Sequence, residues 1–438
     1  MSACTEQAGR IRFRLQMHRT AAGVRESAGE WLASAIAGLL LLGALPVLLP
    51  ALLIARVHRE RRLGKTGRAF TEYRLVRKNG QTLPVIGGWL RLWNVARGEV
   101  LLVGPEPRHA ADLNLRSEPD RRIASVQPGL VCNWWIRRRT NVAYKTQAET
   151  DLEYVESRSL RTDLGIALRA VISLAYGKQG SRFVAVPRIL GLPLDNITLA
   201  EAVDEVLRPA PRGKQVSFIN VDCVNKSCSD REYREILRNS ELRLADGIGL
   251  RIAGRILGSE IRQNVNGTDL FPVLCERMAA EGLSMFLLGG MPGVAASVAE
   301  RIGAQFPLLK IAGVRDGYFR REDEESIVES INASVADVLL VAMGAPLQEK
   351  WIERNREKLQ VRAALGVGGL FDFYSGRILR APQWLRELGL EWTWRLIQEP
   401  GRMWRRYLVG NVVFLLRVGW SRLTRSNHQE TGEMVNSL

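Results

Sequence analysis

The sequence predicts an α/β fold for the C-terminal half of the chain, with helices covering a mostly parallel sheet. Short apolar runs that favour strands alternate there with amphipathic helical patterns, as is typical of parallel sheets. The run Ser284–Leu288 is apolar after its first residue, as expected of a buried strand. Several runs end on glycine or on a polar residue, such as Asn220 and Asp246, and parallel strands end at one common edge. The predicted class is therefore α/β with a Rossmann-like, mostly parallel sheet.

The composition limits the partners and the chemistry of the chain. It has 438 residues and a net charge of +16, which indicates nucleic acid, an anionic membrane surface or phosphorylated substrates. Basic residues beside apolar runs favour the membrane, and no zinc-finger, basic-zipper or RNA-binding signature supports nucleic acid. Five scattered cysteines give neither a disulfide framework nor metal-ligand spacing, which favours a reducing compartment. No His lies between Ala110 and Asn427, so a base in that span has to be Asp, Glu or Cys.

The N-terminal part predicts a membrane segment. A basic tail, residues 1–30, precedes residues 31–55, which carry no charge over 25 positions and are long enough to cross a bilayer. Pro46 and Pro50 interrupt this run, and either can break a helix. Basic flanks on both sides and a proline within the run fit a re-entrant hairpin with both ends in the cytoplasm. A plain spanning helix is the alternative, and the sequence leaves both open.

Residues 56–180 predict a small second domain. It carries the motif W-N-V at residues 93–95 and the motif VLLVGPEPR at residues 100–108. In the order of these motifs, and in the proline-interrupted helix before them, the chain resembles the bacterial sugar transferases, which move a sugar phosphate onto a polyprenyl phosphate. The catalytic Asp-Glu pair of that family falls here on Gly87 and Gly88, and glycine offers neither a nucleophile nor a base. We therefore predict a catalytically dead remnant that retains membrane docking.

A linker, residues 181–192, separates this domain from the predicted core at residues 193–376. Thr198 is placed to start the first amphipathic helix of the core. The predicted strands are residues 215–219, 242–245, 284–288, 310–314, 336–343 and 363–367. The helical patterns around them cover residues 198–207, 231–239, 250–257, 292–306, 322–331 and the segment beginning at 348.

The stretch around Asp246 is the strongest candidate for chemistry. An apolar strand ends on Asp246, a Gly-Ile-Gly turn follows at residues 247–249, and a helical pattern begins at Leu250. This arrangement holds a carboxylate at the sheet edge where open α/β folds bind ligands, and the glycines let a ligand approach the backbone. A surface turn with a capping Asp is the alternative. A second polar turn, residues 264–269, leads into another helix, for which we expect Thr268 as the N-cap.

A glycine turn is the candidate for diphosphate binding. Gly289 and Gly290 end a strand just before a helix, and Pro292 is expected at the first helical position. Such a turn can direct backbone N–H groups and the positive end of a helix at a diphosphate. The match to G-x-G-x-x-G is poor and no acidic residue stands at ribose spacing, so we predict no dinucleotide cofactor. Without a Walker lysine or a D-x-D pair, we also predict neither nucleotide hydrolysis nor a metal site.

The C-terminal half carries a series of motifs. They are ADGIGL at 245–250, NVNGTDLF at 264–271, FLLGG at 286–290, GAPLQEKW at 344–351, GVGGLFDFYSG at 366–376, RAP at 380–382 and LEWTWRLIQEPGRMWRRY at 390–407. With these motifs, residues 190–410 resemble the TagA/WecG/CpsF family of glycosyltransferases. That family transfers a sugar, often N-acetylmannosamine or a uronic acid relative, from a UDP donor to a sugar linked to undecaprenyl diphosphate. The resemblance implies inversion without a metal or cofactor, and Asp246 matches the aspartate proposed as the base.

Several polar residues and turn glycines are candidates for contacts to the sugar, the uracil or the diphosphate. The predicted substrate-binding residues are Asn220, Asn266, Gly267, Asp269, Gly289, Gly290, Gln348 and Glu349. For each polar residue, a capping or turn-stabilising role is the alternative. The family has a Thr near Asn220, where this chain has Phe218 and Ile219, so no role is carried over to those two residues.

Residues 377–425 predict an appendage that contacts the membrane. They contain ten Arg and five of the eleven Trp, a combination typical of a membrane–water boundary. The 14-residue stretch Tyr407–Trp420 is mostly apolar and suits an interfacial helix. The segment resembles the appendage of the family, whose arginines are thought to bind the lipid diphosphate. The residues expected to do so, or to contact the membrane, are Arg380, Arg395, Arg402, Arg405 and Arg406. A solvated basic face is the alternative, and a polar tail, residues 426–438, follows.

The whole sequence predicts a glycosyltransferase of envelope polysaccharide synthesis at the cytoplasmic face of the bacterial inner membrane. The expected partners are a UDP-sugar, a polyprenyl-diphosphate-linked acceptor sugar and the membrane, without nucleic acid, and a homo-oligomer is left open. One alternative is a bifunctional enzyme that also transfers sugar phosphate to polyprenyl phosphate, against which Gly87 and Gly88 argue. The other is a non-catalytic membrane scaffold for polysaccharide enzymes.

Overall fold

The computed structural model of the chain describes residues 34–77, 80, 82–83, 86–109, 117–140, 146–174, 186–210 and 213–435. It divides into two compact units, residues 1–139 with 143–175, and residues 140–142 with 176–438. The predicted tail 1–30 lies outside the described residues, as do residues 181–185 of the predicted linker.

The helices of the first unit are α1 Ser34–Ile54, α2 Arg91–Ala96, α3 Glu118–Ala124, α4 Asn133–Thr140, α5 Gln147–Ser157 and α6 Leu160–Leu174. Its strands are β1 Arg56–Leu63, β2 Ala69–Val76, β3 Leu101–Val103 and β4 Gly129–Val131. The strands β1 and β2 form an antiparallel hairpin, and β3 pairs with β4 in parallel.

The helix α1 is unbroken, and neither Pro46 nor Pro50 ends it, as in the plain helix that the sequence left open beside the hairpin. Of the described helices, it is the one that is long and apolar enough to cross a membrane. Its residues Ala44 and Leu48 pack against Leu75 of β2, whereas most of its other leucines are exposed. This apolar surface suits a helix that contacts lipid along much of its length.

The backbone around Gly87 has no room for a side chain. A Cβ atom there would lie 2.5 Å from the carbonyl oxygen of Leu83 and 2.5 Å from the methyl group of Thr82, whereas Gly88 is open. The W-N-V motif next to it has a structural role, because buried Asn94 donates a hydrogen bond of 2.6 Å to the carbonyl of Thr71. A catalytic Asp at position 87 would therefore require the local backbone to move.

The second unit contains a six-stranded sheet. Its helices are α7 Leu199–Leu207, α8 Val221–Ser227, α9 Arg231–Asn239, α10 Ile248–Ile256, α11 Gly267–Glu281, α12 Val294–Gln305, α13 Glu324–Ala333, α14 Leu347–Asn355, α15 Leu370–Tyr374, α16 Gln383–Glu387, α17 Glu391–Gln398, α18 Pro400–Trp404 and α19 Gly410–Val435. Its strands are β5 Arg188–Ile189, β6 Leu192–Pro193, β7 Lys214–Ile219, β8 Leu242–Ala245, β9 Ser284–Gly289, β10 Lys310–Arg315, β11 Val338–Ala342 and β12 Ala363–Gly366. The sheet has the strand order β10-β9-β11-β12-β7-β8, and all its pairs are parallel.

Helices cover both faces of this sheet, as the sequence predicts. In β11, Leu340 packs into the cluster that contains Leu270 of α11, and its neighbour Leu339 packs into the cluster that contains Ile327 of α13. Thr198 caps α7 as predicted. The short strand β5 and the first residue of β6 lie within the stretch predicted as a linker, and the pair joins the core of this unit.

The C-terminal helices differ from the single amphipathic helix predicted for Tyr407–Trp420. The helix α19 extends to Val435, and a π-helical turn, Arg405–Val409, precedes it. Phe414 and Val418 are buried against α10, whereas Leu416 and other apolar residues on the remaining face are exposed. One face of α19 therefore belongs to the core, and the other is free to meet a lipid surface.

Candidate active site

The carboxyl ends of the sheet strands open into a cavity of about 1630 Å³, which the C-terminal helices cover in part. Most of the predicted site residues line it. They are Asn220, Asp246, Asn266, Gly267, Asp269, Gly290, Gln348, Glu349, Arg395, Arg402 and Arg406. Gly289, Arg380 and Arg405 do not belong to the lining of the described cavity.

Asp246 lies at the cavity edge, directly after β8 and beside the end of β7. Its backbone N–H donates to the carbonyl of Ile219 at the end of β7, at 2.8 Å. Gly247 follows with φ +97°, a conformation that glycine adopts without strain. Asn220 donates a hydrogen bond of 3.3 Å from Nδ2 to Asp246 Oδ2, while its Oδ1 accepts from the N–H of Cys223 and caps α8. The predicted carboxylate therefore has a fixed orientation and a neutral donor beside it.

The electrostatic environment makes Asp246 a stronger base than a solvated aspartate. Burial raises the pKa of its carboxyl group, and the hydrogen bond from Asn220 and the charge of Arg406 lower it, while Asp269 raises it again. A carboxylate with a raised pKa that remains ionised is suited to accept a proton from a hydroxyl group.

The loop that contains Asn264 and Asn266 closes the other side of Asp246. Asn264 Oδ1 accepts the N–H of Gly247 at 2.5 Å. Asn266 caps α11 by accepting the N–H of Asp269 at 2.8 Å, and it donates to the carboxylate of Asp269 at 2.7 Å. The prediction that Thr268 caps this helix is wrong, because the cap lies two residues earlier. Substrate contacts of Asn266 and Asp269 stay predictions.

The glycine turn after β9 has its donors engaged within the chain. The N–H of Gly290 donates to the carbonyl of Ala342 at 2.9 Å, and that of Gly293 donates to Asp316 Oδ1 at 3.0 Å. The helix α12 begins at Val294, so the prediction that Pro292 is its first residue is wrong. The N–H of Gly293 at the start of α12 is therefore engaged by a carboxylate of the chain itself, and diphosphate binding by Gly289 and Gly290 stays a prediction.

Three predicted arginines bring positive charge to the cavity. Arg395 lies 3.5 Å from the carboxylate of Asp372, and Arg406 lies 3.5 Å from that of Asp222. Their Nε atoms are buried and make no hydrogen bond among the described residues, but each lies 3.5 Å from a carboxylate, that of Glu399 for Arg395 and that of Asp222 for Arg406. Arg402, the third, is largely exposed. Such partly satisfied guanidinium groups can accept a diphosphate ligand.

The other two predicted arginines have different surroundings. Arg380 forms an ion pair with Asp269, and its Nε lies 3.5 Å from the carboxylate of Glu391. Arg405 stacks on the ring of Trp404 at 5.3 Å. Binding of lipid diphosphate or membrane by these two residues stays a prediction.

Sequence reasoning missed several charged and polar residues of the lining. They are Asp222, Lys226, Asn264, Arg320, Asp323, Asp372, Arg377, Arg386 and Glu391. Asn264 lies inside the motif NVNGTDLF and Asp372 inside GVGGLFDFYSG. Both could have been found there, because they flank the predicted turns. Lys226 had no such signal, since its Nζ reaches the carbonyl of Ala345 only through the fold, at 2.8 Å. Among the described residues, no group of three or more His, Cys, Asp or Glu side chains is arranged to hold a metal.

Comparisons with known proteins relate the two parts of the chain to two families. A family model described as Glycosyl transferase WecG/TagA/CpsF family matches residues 187–428, and one described as Bacterial sugar transferase matches residues 88–177. A protein of Bacillus subtilis (strain 168) is 34% identical over 196 residues, which cover 45% of this chain and 75% of that protein. One of Bacillus spizizenii (strain ATCC 23059 / NRRL B-14472 / W23) is 32% identical over 197 residues, covering 45% and 76%. Both are named N-acetylglucosaminyldiphosphoundecaprenol N-acetyl-beta-D-mannosaminyltransferase.

Proposed function

The chain belongs to the WecG/TagA/CpsF family of glycosyltransferases, and from this premise we propose the reaction that it catalyses. It transfers an N-acetylmannosamine-like sugar from a UDP-sugar to a sugar that is linked to undecaprenyl diphosphate. The names of the two Bacillus relatives supply the acceptor class, and the cavity of about 1630 Å³ is large enough for a sugar nucleotide together with an acceptor sugar.

Asp246 is the proposed general base, and its position at the cavity edge is the observation that carries the proposal. Its carboxylate takes the proton of the acceptor hydroxyl group as the hydroxyl oxygen bonds to the anomeric carbon of the donor. The bond from that carbon to the diphosphate breaks at the same time, and UDP leaves with the bonding electrons. Attack from the side opposite the leaving group inverts the configuration.

The leaving diphosphate needs positive charge, which arginines can supply without a metal. Arg395 and Arg406 present buried guanidinium nitrogens at the cavity, and Arg402 adds an exposed cation. We assign these three residues to the diphosphate of the donor or of the acceptor lipid.

The first unit is proposed to anchor the enzyme at the cytoplasmic face of the inner membrane. The apolar helix α1 and the match to bacterial sugar transferases support membrane association. The lack of space at Gly87 supports a unit without transferase activity of its own, and so disfavours the bifunctional alternative. The base candidate in a large cavity disfavours a purely non-catalytic scaffold.

The experiment that tests this function measures release of UDP by the detergent-solubilised full chain. The acceptor is undecaprenyl-diphosphate-linked N-acetylglucosamine, and the donors are a panel of UDP-sugars that includes UDP-N-acetylmannosamine. We expect one donor to give UDP and a lipid-linked disaccharide detected by mass spectrometry, with equal rates in the presence of a chelator. Absence of product with every donor would support the scaffold instead.

A further inference from the structure

The side chain of Gln348 joins two loops that line the cavity. Its Oε1 accepts the backbone N–H of Gly344 after β11 at 3.0 Å and that of Gly368 after β12 at 2.9 Å. Both glycines have positive φ angles, +81° and +54°, which glycine adopts without strain. Because both backbone groups are donors, only the oxygen end of the Gln348 amide can face them.

Glu349 accepts the hydrogen bond at the other end of this amide. Gln348 Nε2 donates to Glu349 Oε1 at 2.8 Å, and both side chains are almost fully buried. The backbone leaves room for this pair only because residue 366 is glycine. A Cβ at Gly366 would lie 2.9 Å from Gln348 Nε2 and 3.1 Å from Glu349 Oε1. A series of hydrogen bonds therefore connects Glu349 through Gln348 to the two loops.

Glu349 is a buried carboxyl group in the lining of the cavity. Its Oε2 has no hydrogen-bond partner in the part of the chain that the structure describes. Burial raises the pKa of Glu349 to about 7, against the hydrogen bond from Gln348 and the charge of Lys226. The other titratable groups that interact with it are Cys223 of α8 and Tyr233 of α9. A buried carboxyl group is costly unless hydrogen bonds compensate, so the bond between Gln348 and Glu349 contributes to keeping the carboxyl group in place.

We propose that Glu349 is a positioning residue for the donor site rather than the sugar contact that the sequence predicted. Its carboxyl group fixes the Gln348 amide in the one orientation that binds both Gly344 and Gly368, and so sets the separation of their loops. This inference rests on the proposed function, because the loops line the cavity assigned to the sugar nucleotide. If the amide reversed, its NH2 group would face two N–H donors and the loops would lose their common acceptor.

Two single variants of Glu349 test whether its role depends on accepting the hydrogen bond from Gln348. Glu349→Gln keeps an acceptor for Gln348 Nε2, so we expect it to retain most of the affinity for UDP. Glu349→Leu removes the acceptor, and we expect UDP affinity to fall about tenfold or more, the effect of losing a hydrogen bond to a charged group. In kinetics this loss appears mainly in the KM of the donor. Glu353→Leu, one turn later on α14 and exposed, is the matched control and leaves both values unchanged.

An exchange of the two side chains provides the sharpest test. Gln348→Glu alone places two carboxyl groups against each other, so UDP affinity should fall, and fall further as the pH rises and both ionise. The double variant Gln348→Glu with Glu349→Gln restores one donor and one acceptor, with carboxylate oxygens still facing Gly344 and Gly368. We expect it to regain affinity lost in Gln348→Glu. A double variant no better than Gln348→Glu would overturn the inference.

Hydrogen exchange keeps this inference distinguishable from the proposed function. We expect Glu349→Leu to accelerate amide exchange in residues 344–347 and 366–369 of the full chain, while Glu349→Gln does not. If exchange changes in this way but the wild-type chain releases no UDP, the proposed function is refuted and the positioning role still holds. Unchanged exchange and unchanged UDP affinity in Glu349→Leu would refute the positioning role, even if the variant melts at a lower temperature.

Discussion

Replacing Asn220 with Asp should inactivate the enzyme near neutral pH without unfolding it. The new carboxylate keeps the capping acceptor for the N–H of Cys223, so α8 retains its cap. It loses the donor that lies 3.3 Å from Asp246 Oδ2 and puts a second carboxyl group in its place. At that separation and an effective dielectric constant of about 20, two negative charges repel by about 5 kcal/mol. One of the two carboxyl groups therefore holds a proton at neutral pH.

The proton should reside on residue 246 rather than on the new Asp at 220. The cap N–H of Cys223 and the positive end of α8 stabilise the ionised form at 220, and Asp246 already has a pKa raised by burial. A base that holds its proton cannot accept one from the acceptor hydroxyl group. Because the pKa of the base rises in this variant, activity is lost at neutral pH and returns as the pH increases.

The assay is the pH profile of kcat/KM for UDP release between pH 5.5 and pH 9.5. We expect Asn220→Asp to lose about 100-fold or more at pH 7 and to recover toward the alkaline end. Asn220→Ser is the matched control, because serine also caps a helix but adds no charge. It should lose about tenfold, the effect of losing one hydrogen bond to a charged group. Profiles of wild type and Asn220→Asp that coincide would refute the assignment of Asp246 as the base.

Further outcomes follow from packing and from the membrane segment. Phe414→Ala should lower the free energy of unfolding by about 3–5 kcal/mol in denaturant titrations, because this ring is buried against α10. Leu416→Ala on the exposed face should change it by no more than about 0.5 kcal/mol and instead weaken binding to anionic vesicles. Gly87→Asp should lower the melting temperature and create no sugar-phosphate transfer, whereas gain of transfer would show that the backbone can accept the side chain. Leu45→Asp, on an exposed part of α1, should make the free energy of membrane insertion less favourable by about 2.5–3.5 kcal/mol and release the chain from membranes at high pH. Membrane retention equal to that of Leu45→Phe would contradict a lipid-embedded helix.

The strand segments and the position of Asp246 could be predicted because their signals are local. A buried strand is a short apolar run, and its end is marked by a polar residue or glycine within one or two positions. Asn220, Asp246 and Gly290 each follow such a run, and a parallel sheet brings strand ends to one edge. The sheet and the grouping of these residues around one cavity therefore follow from the sequence pattern.

The partners of the site residues could not be predicted, because they come from distant parts of the chain. Arg380 pairs with Asp269, which lies 111 positions earlier, and Asp316 accepts the N–H of Gly293 at the start of α12. Gly293 caps that helix with φ +81°, and no local pattern distinguishes it from Pro292 as the place where the helix begins. The cap of α11 is Asn266 rather than Thr268, since both residue types favour that role and only the fold selects one.

The measurement that tests the central claim most directly is the turnover number of Asp246→Asn with the donor and acceptor that support the wild-type reaction. Asparagine keeps the size of the side chain but cannot accept the proton, so we predict a fall of about 100-fold or more with unchanged UDP affinity and vesicle binding. Asp204→Asn, an exposed aspartate of α7, serves as the control and should keep the wild-type rate. A rate for Asp246→Asn within a few-fold of wild type would contradict the account.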